Sequence, residues 1–167
     1  MAELKNRQWL LAARPVGMVK ESDYRWNEAA VAPLKEGKVL LRNLAFSFDP
    51  TQRGRMSMDT YVPAIPLGAV MRAGAVSQVV ESKKDGFAPG DLVQGMAGWE
   101  DYTVSNGAGM LTMRKLAPGT DPLLALSLFG ITGLTAYFGV LDVGLPKAGE
   151  TFLVSGAAGA TGSVAGR

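Results

Sequence analysis

Near the end of the chain three glycines stand at 156, 159 and 162, behind a short apolar run, Thr151-Phe152-Leu153-Val154. The run reads as a buried strand, and Ser163-Val164-Ala165 after the last glycine reads as the opening of a helix. Strand, glycine turn and helix start together form a diphosphate cradle. The glycines let the backbone turn sharply and approach a ligand, and the helix N-terminus directs free N–H groups at an anion. A doubly wound nucleotide domain repeats βαβ units of roughly 30 residues each. At Arg167 the first such unit has barely begun, so the sequence predicts the N-terminal part of a longer enzyme.

Against the pattern G-x-G-x-x-G the chain offers Ala157-x-Gly159-x-x-Gly162, with alanine at the first glycine position. The partner strand and its ribose-binding acid would follow Arg167. No Gly-Lys-Ser/Thr comes after the turn, which disfavours a phosphate loop of the Walker type. A flexible Gly/Ala tail is the other reading of the same nine residues.

Composition narrows the class. A chain with 47% hydrophobic and 19% charged residues is globular rather than disordered. A formal charge of +2, with Lys83-Lys84 and Arg53/Arg55 as the densest basic spots, leaves no footprint for nucleic acid. There is no run of about 18 apolar residues to span a membrane. The N-terminus lacks the apolar core of a secretory signal, so the expected location is the cytoplasm. With no cysteine and no histidine, neither a disulfide framework nor a zinc site with nitrogen or sulfur ligands is expected. Ser-His-Asp and Cys-His catalysis are excluded within these residues, which leaves carboxylates, tyrosine, arginine, lysine or an organic cofactor.

Up to about Leu116 the pattern predicts short strands broken by turns: Gln8–Ala12, Tyr24–Ala29, Lys38–Ser47 ended by Pro50, Gly74–Glu81, Leu92–Gly95 and Trp99–Val104. Close-spaced short strands argue for a compact β-barrel or sandwich. After Pro118 the periodicity becomes helical. Asp121-Pro122 reads as an N-cap and first helical position for Leu123–Leu128. Ile131–Leu141 has apolar residues at i, i+3 and i+4, closed by Gly144 and Pro146.

Six ordered motifs carry a resemblance. They are Arg14-Pro15-x-Gly17; Ser47-Phe48-Asp49-Pro50-x-x-Arg53-Gly54-Arg55-Met56; Phe87-x-x-Gly90-Asp91-x-Val93; Gly98-Trp99-x-x-Tyr102; Gly133-Leu134-Thr135-Ala136-Tyr137-Phe138-Gly139; and Gly156-Ala157-Ala158-Gly159-Ala160-Thr161-Gly162-Ser163. In this order they resemble the N-terminal half of a medium-chain dehydrogenase/reductase, in the zinc-free branch of leukotriene B4 dehydrogenase, prostaglandin reductase and curcumin reductase. The resemblance implies a mixed α and β fold: a GroES-like β-barrel substrate domain over residues 1–127, then a linker helix and the first strand and turn of an NADP-binding Rossmann domain over 128–167. It implies NADPH-dependent reduction of the carbon–carbon double bond of α,β-unsaturated aldehydes and ketones, and commonly a homodimer. Residues 1–167 alone are expected to be inactive. Zinc-dependent relatives place Gly-His-Glu where this chain has Pro66-Leu67-Gly68-Ala69-Val70, and no metal is expected.

By the same resemblance Gly159, Ala160, Thr161 and Gly162 face the cofactor diphosphate, although Gly162 also suits close helix–strand packing. Thr135 lies near the nicotinamide end, or is a helical threonine bonded back to a carbonyl. Tyr61 is a substrate-pocket tyrosine, its hydroxyl a donor to an enone oxygen, or a solvent-edge loop residue. Trp99 walls the cleft or packs in the core. Asp49-Pro50 begins a turn, and Arg53 can reach back to Asp49 or to the next loop, so the pair suits a structural salt bridge or a capping contact. Thr51 stands where the family often has an aromatic residue, and no proton donor is assignable. Two alternatives remain: a quinone reductase of a neighbouring branch, and a non-enzymatic GroES-like binding module.

Overall fold

A computed structural model describes residues 4–108 and 112–167, and the chain divides into two compact units at Pro118/Gly119. The first unit is antiparallel β. β1 (Lys5–Leu11) pairs with β2 (Tyr24–Ala30), and Trp9 meets Trp26 across the ladder. Five further strands, β3 (Val39–Phe46), β4 (Arg72–Ser82), β5 (Leu92–Gly98), β6 (Tyr102–Ser105) and β7 (Arg114–Lys115), form a second sheet in the order β6-β3-β4-β5-β7. The two sheets join through single bridges, Gln8 to Glu100 and Leu10 to Val70, so the described ladder does not close into one continuous barrel. This is the mixed, antiparallel GroES-like arrangement the motifs imply, with its barrel left open.

Alternation explains where the core sits. Val39 and Leu41 on β3, Val79 on β4, Val93 on β5 and Met113 make one buried cluster. Leu11, Met56, Ile65 and Met71 make a second, against which Tyr24 and Trp99 pack. Each such fully buried side chain contributes about 1.5–3 kcal/mol relative to exposure. A polar seam runs beside them: Asn6, Glu100, Thr103, Asn43 and Ser77 are linked by side-chain hydrogen bonds of 2.7–3.0 Å.

Two features depart from the sequence pattern. β3 ends ahead of Pro50 as expected, but Asp49-Pro50, expected to begin a turn, starts helix α1 (Pro50–Arg55). Thr151–Val154, expected as the first Rossmann strand, is not a strand: the second unit has no other strand among its described residues to hydrogen-bond with it, and Leu153 is 90% exposed. The helices of that unit follow expectation more closely. In α2 (Pro122–Leu126) the Asp121 carboxylate caps the Leu123 N–H at 2.7 Å. α3 (Ile131–Phe138) continues as a wider π turn over Gly139–Gly144, and Leu145 in the left-handed region ends it. α4 (Gly162–Ala165) follows the glycine turn.

Candidate functional site

In the first unit, α1 and the loop behind it organise the candidate substrate side. The Asp49 carbonyl accepts the Gln52 N–H at 2.9 Å, and Pro50 takes the first helical position, where its missing N–H costs nothing. The chain leaves the helix at Met56 and returns at Ile65, whose N–H donates to the Arg55 carbonyl at 2.8 Å. Arg14 locks that junction: its Nη1 donates to the carbonyls of Met56 at 2.6 Å and Ile65 at 2.7 Å. Arg53 works in the opposite direction, its Nη2 donating to the carbonyls of Pro15 and Gly17 at 3.2 and 3.0 Å. The expected Asp49–Arg53 bridge is therefore not made. Arg53 goes to the other loop, and the Asp49 carboxylate accepts the Ser47 hydroxyl at 2.6 Å.

Trp99 is both core and wall. Its ring stacks on Tyr24 and Phe46 at centroid distances of 5.6 and 5.7 Å, and Phe48 meets it edge-on at 5.2 Å. Beside it opens a cavity of about 370 Å³, lined by Tyr24, Phe48, Arg53, Met56, Met71 and Trp99 among others. That size lies within the roughly 300–1,000 Å³ of small-molecule pockets, and the apolar, aromatic lining suits a flat hydrophobic ligand. The buried Trp99 indole N–H has no acceptor among the described residues. Burial raises the Tyr24 phenol above its ordinary range, with Asp23 adding to the shift, so it stays a neutral hydroxyl.

Tyr61 lies outside that lining. It sits on the loop between Met56 and Ile65, 71% exposed, with its hydroxyl oxygen accepting from Arg55 Nη2 at 3.1 Å. Arg55 itself is buried, and nothing in the sequence pattern singled out this contact. The spacing of six residues across a loop gives no periodic signal that would have revealed it.

In the second unit Gly159, Ala160, Thr161 and Gly162 follow one another through the turn. Gly156 has φ +62°, in the left-handed region where glycine carries no Cβ penalty. A Cβ at 162 would run into the Gly156 carbonyl oxygen, and one at 159 would stand 3.1 Å from the same atom. The close approach at Gly162 is thus to the turn's own backbone. The N–H groups of Ala160, Thr161 and Gly162 find no acceptor among the described residues, so residue types and backbone fit an oxyanion. The Thr135 hydroxyl donates to the Ile131 carbonyl at 2.7 Å, the back-bonded state of a helical threonine, which leaves its oxygen able to accept. Among the described residues no group of three or more carboxylates stands together in a way that could hold a metal. Among the same described residues no helix is long and apolar enough to cross a membrane.

Residues 7–113 match the family described as the N-terminal domain of oxidoreductase. Over 164 residues the chain is 42% identical to the NADPH-dependent curcumin reductase of Escherichia coli, covering 98% of this chain and 47% of that one. It is 40% identical over 162 residues to prostaglandin reductase 1 of Bos taurus, covering 96% and 47%. The crystal structure of CurA from Vibrio vulnificus in complex with NADPH superposes with a TM-score of 0.84 at 38% identity, over 96% of this chain and 47% of that one. The chain thus spans about half the length of the relatives it matches. An antiparallel GroES-like unit of this sequence, followed by a glycine turn, belongs to the zinc-free branch of the medium-chain dehydrogenase/reductase family.

Proposed function

We propose that the protein reduces the carbon–carbon double bond of α,β-unsaturated aldehydes or ketones with NADPH, in the cytoplasm. The glycine turn carries this reading: Gly156, Gly159 and Gly162 shape a backbone with unfilled N–H donors, the equipment a dinucleotide diphosphate requires. The curcumin reductase relative, similar along nearly the whole chain, is NADPH-dependent by name. When bound, NADPH supplies a hydride for the β-carbon of the alkene. Gly159, Ala160, Thr161 and Gly162 would hold its diphosphate, and the Thr135 oxygen would accept a hydrogen bond near the nicotinamide.

On the substrate side Trp99 presents an aromatic face to the apolar body of an enone. The Tyr61 hydroxyl donates to the carbonyl oxygen, where negative charge grows as the β-carbon is reduced. We carry forward the family's division into a substrate domain over 1–127 and a cofactor domain from 128.

The test is a substrate screen on the full-length protein, comparing enals, enones and quinones with NADPH and with NADH under one condition. Enone-dependent loss of NADPH absorbance is the expected result. Turnover of quinones alone, or no affinity for either coenzyme by calorimetry, overturns the reading.

A further inference from the structure

We propose that Arg55 is a positioning residue for the reduction, fixing the Tyr61 hydroxyl as an outward-facing hydrogen-bond donor. The inference rests on the reading that Tyr61 meets the substrate carbonyl. A phenol can donate or accept, whereas a guanidinium can only donate. With Arg55 Nη2 at 3.1 Å from Tyr61 Oη, the phenol oxygen must accept, and its own proton is turned away from Arg55. No described residue receives that proton, and Tyr61 is 71% exposed, so the hydroxyl is left free to donate to a bound ligand. The guanidinium carbon stands 5.8 Å from the ring centroid, close enough for its charge to polarise the O–H bond.

The anchoring supports a positioning role. Arg55 is only 6% exposed on the last turn of α1, and its own carbonyl accepts the returning Ile65 N–H. Arg14 holds the same junction through Met56 and Ile65. At the loop tip, the Asp59 carboxylate accepts the Ala64 N–H at 2.8 Å and the Thr60 N–H reaches the Val62 carbonyl at 3.0 Å. An exposed tyrosine needs none of this to be stable in water. A tyrosine that must present a hydroxyl proton in one direction does, since misplacing a donor by about 1 Å costs on the order of 100-fold in rate.

The experiment is a double-mutant cycle in the full-length protein, with enone reduction as the assay and tryptophan fluorescence as the check of folding. Tyr61→Phe is expected to lower kcat by about 100-fold and leave the KM for NADPH unchanged. Arg55→Gln is expected to lower kcat by about 10-fold, and Arg55→Lys, which keeps a cationic donor, by less. In the Tyr61→Phe background either Arg55 change should cost less than about twofold, because its effect runs through the missing hydroxyl. Should Arg55→Gln fail to fold, Arg55→Lys carries the same cycle. Losses that multiply, or an Arg55 variant that folds and keeps full kcat, overturn the inference while leaving Tyr61 in place. Unchanged kinetics for Tyr61→Phe overturn the reading beneath it as well.

Discussion

Gly98→Ala tests how the first unit is held together. Gly98 closes β5 directly against the Glu100 side chain, whose Oε2 accepts from Asn6 Nδ2 at 2.9 Å and Gln8 Nε2 at 2.7 Å. The other oxygen, Oε1, accepts the Thr103 hydroxyl at 2.8 Å. A Cβ on residue 98 would lie 2.5 Å from Oε1 and 2.8 Å from both Cδ of Glu100 and Cγ1 of Val70. The carboxylate must then retreat by roughly 1 Å, which takes all three bonds past the geometric limit of about 3.5 Å. Hydrogen bonds to a charged group are worth about 1.5–3 kcal/mol each. Glu100 is only half-buried, and Asn6 keeps its bond to the Tyr102 carbonyl, so water and relaxation recover part of the loss. The expected cost is about 3 kcal/mol. All three tryptophans, Trp9, Trp26 and Trp99, lie before Pro118, so their fluorescence reports unfolding of the first unit alone. A urea midpoint lower by about 2 M is expected for a unit of this size. With Glu100→Ala already in place, adding Gly98→Ala should cost only about 1 kcal/mol, from Val70. An unfolding free energy within about 0.5 kcal/mol of the parent, or an equal cost in both backgrounds, refutes the argument.

Two further outcomes follow from the same geometry. The Arg7 guanidinium, bonded to Asp101 at 2.7 Å, holds that carboxyl below its ordinary range, and the Arg7 backbone N–H adds to it. A depressed folded pKa gives stability that is complete above the unfolded value of about 3.9 and lost as pH falls through the folded one. Asp101→Asn should therefore cost about 1 kcal/mol at neutral pH, a gap that narrows in urea titrations as pH falls below about 3.9 toward the folded value; a gap independent of pH would contradict this. In the glycine turn proposed to hold the diphosphate, Gly162→Ala forces the Gly156 carbonyl to move, so NADPH affinity of the full-length protein should fall by about 10-fold or more by calorimetry, and an unchanged Kd would remove the turn from the site.

Local signals made much of the fold readable. An apolar run between Gly37 and Pro50, and a run of small residues from Gly74, placed β3 and β4 to within two residues at each end. Asp121-Pro122 was readable as a cap because an apolar run follows it. Asp49-Pro50 is the same pair before a polar stretch, Thr51-Gln52-Arg53, and its helix shows only once Gln52 is buried beneath it. The apolar run at Thr151–Val154 has strand character, but a strand is a pairing and needs a neighbour. The stack of Tyr24, Phe46 and Trp99 unites three distant segments, and no periodicity encodes such a contact.

The motifs that identified the family are, for the most part, joints rather than ligand contacts. Arg14-Pro15-x-Gly17 and Arg53-Gly54-Arg55-Met56 are two halves of one fastening. Arg14 takes the carbonyl of Met56, and Arg53 takes the carbonyls of Pro15 and Gly17. Each half supplies the guanidinium the other half's backbone needs, so changing one arginine strands carbonyls on the opposite segment. The fastening sits at the base of the loop that carries Tyr61 and beside the cavity that Trp99 walls. The lining of that cavity can therefore change at Phe48 while its frame stays fixed, since the frame is secured through main-chain oxygens that every residue possesses. Because these motifs encode how the segments are held rather than what the cavity presents to a ligand, the sequence announces the branch clearly and the individual substrate hardly at all.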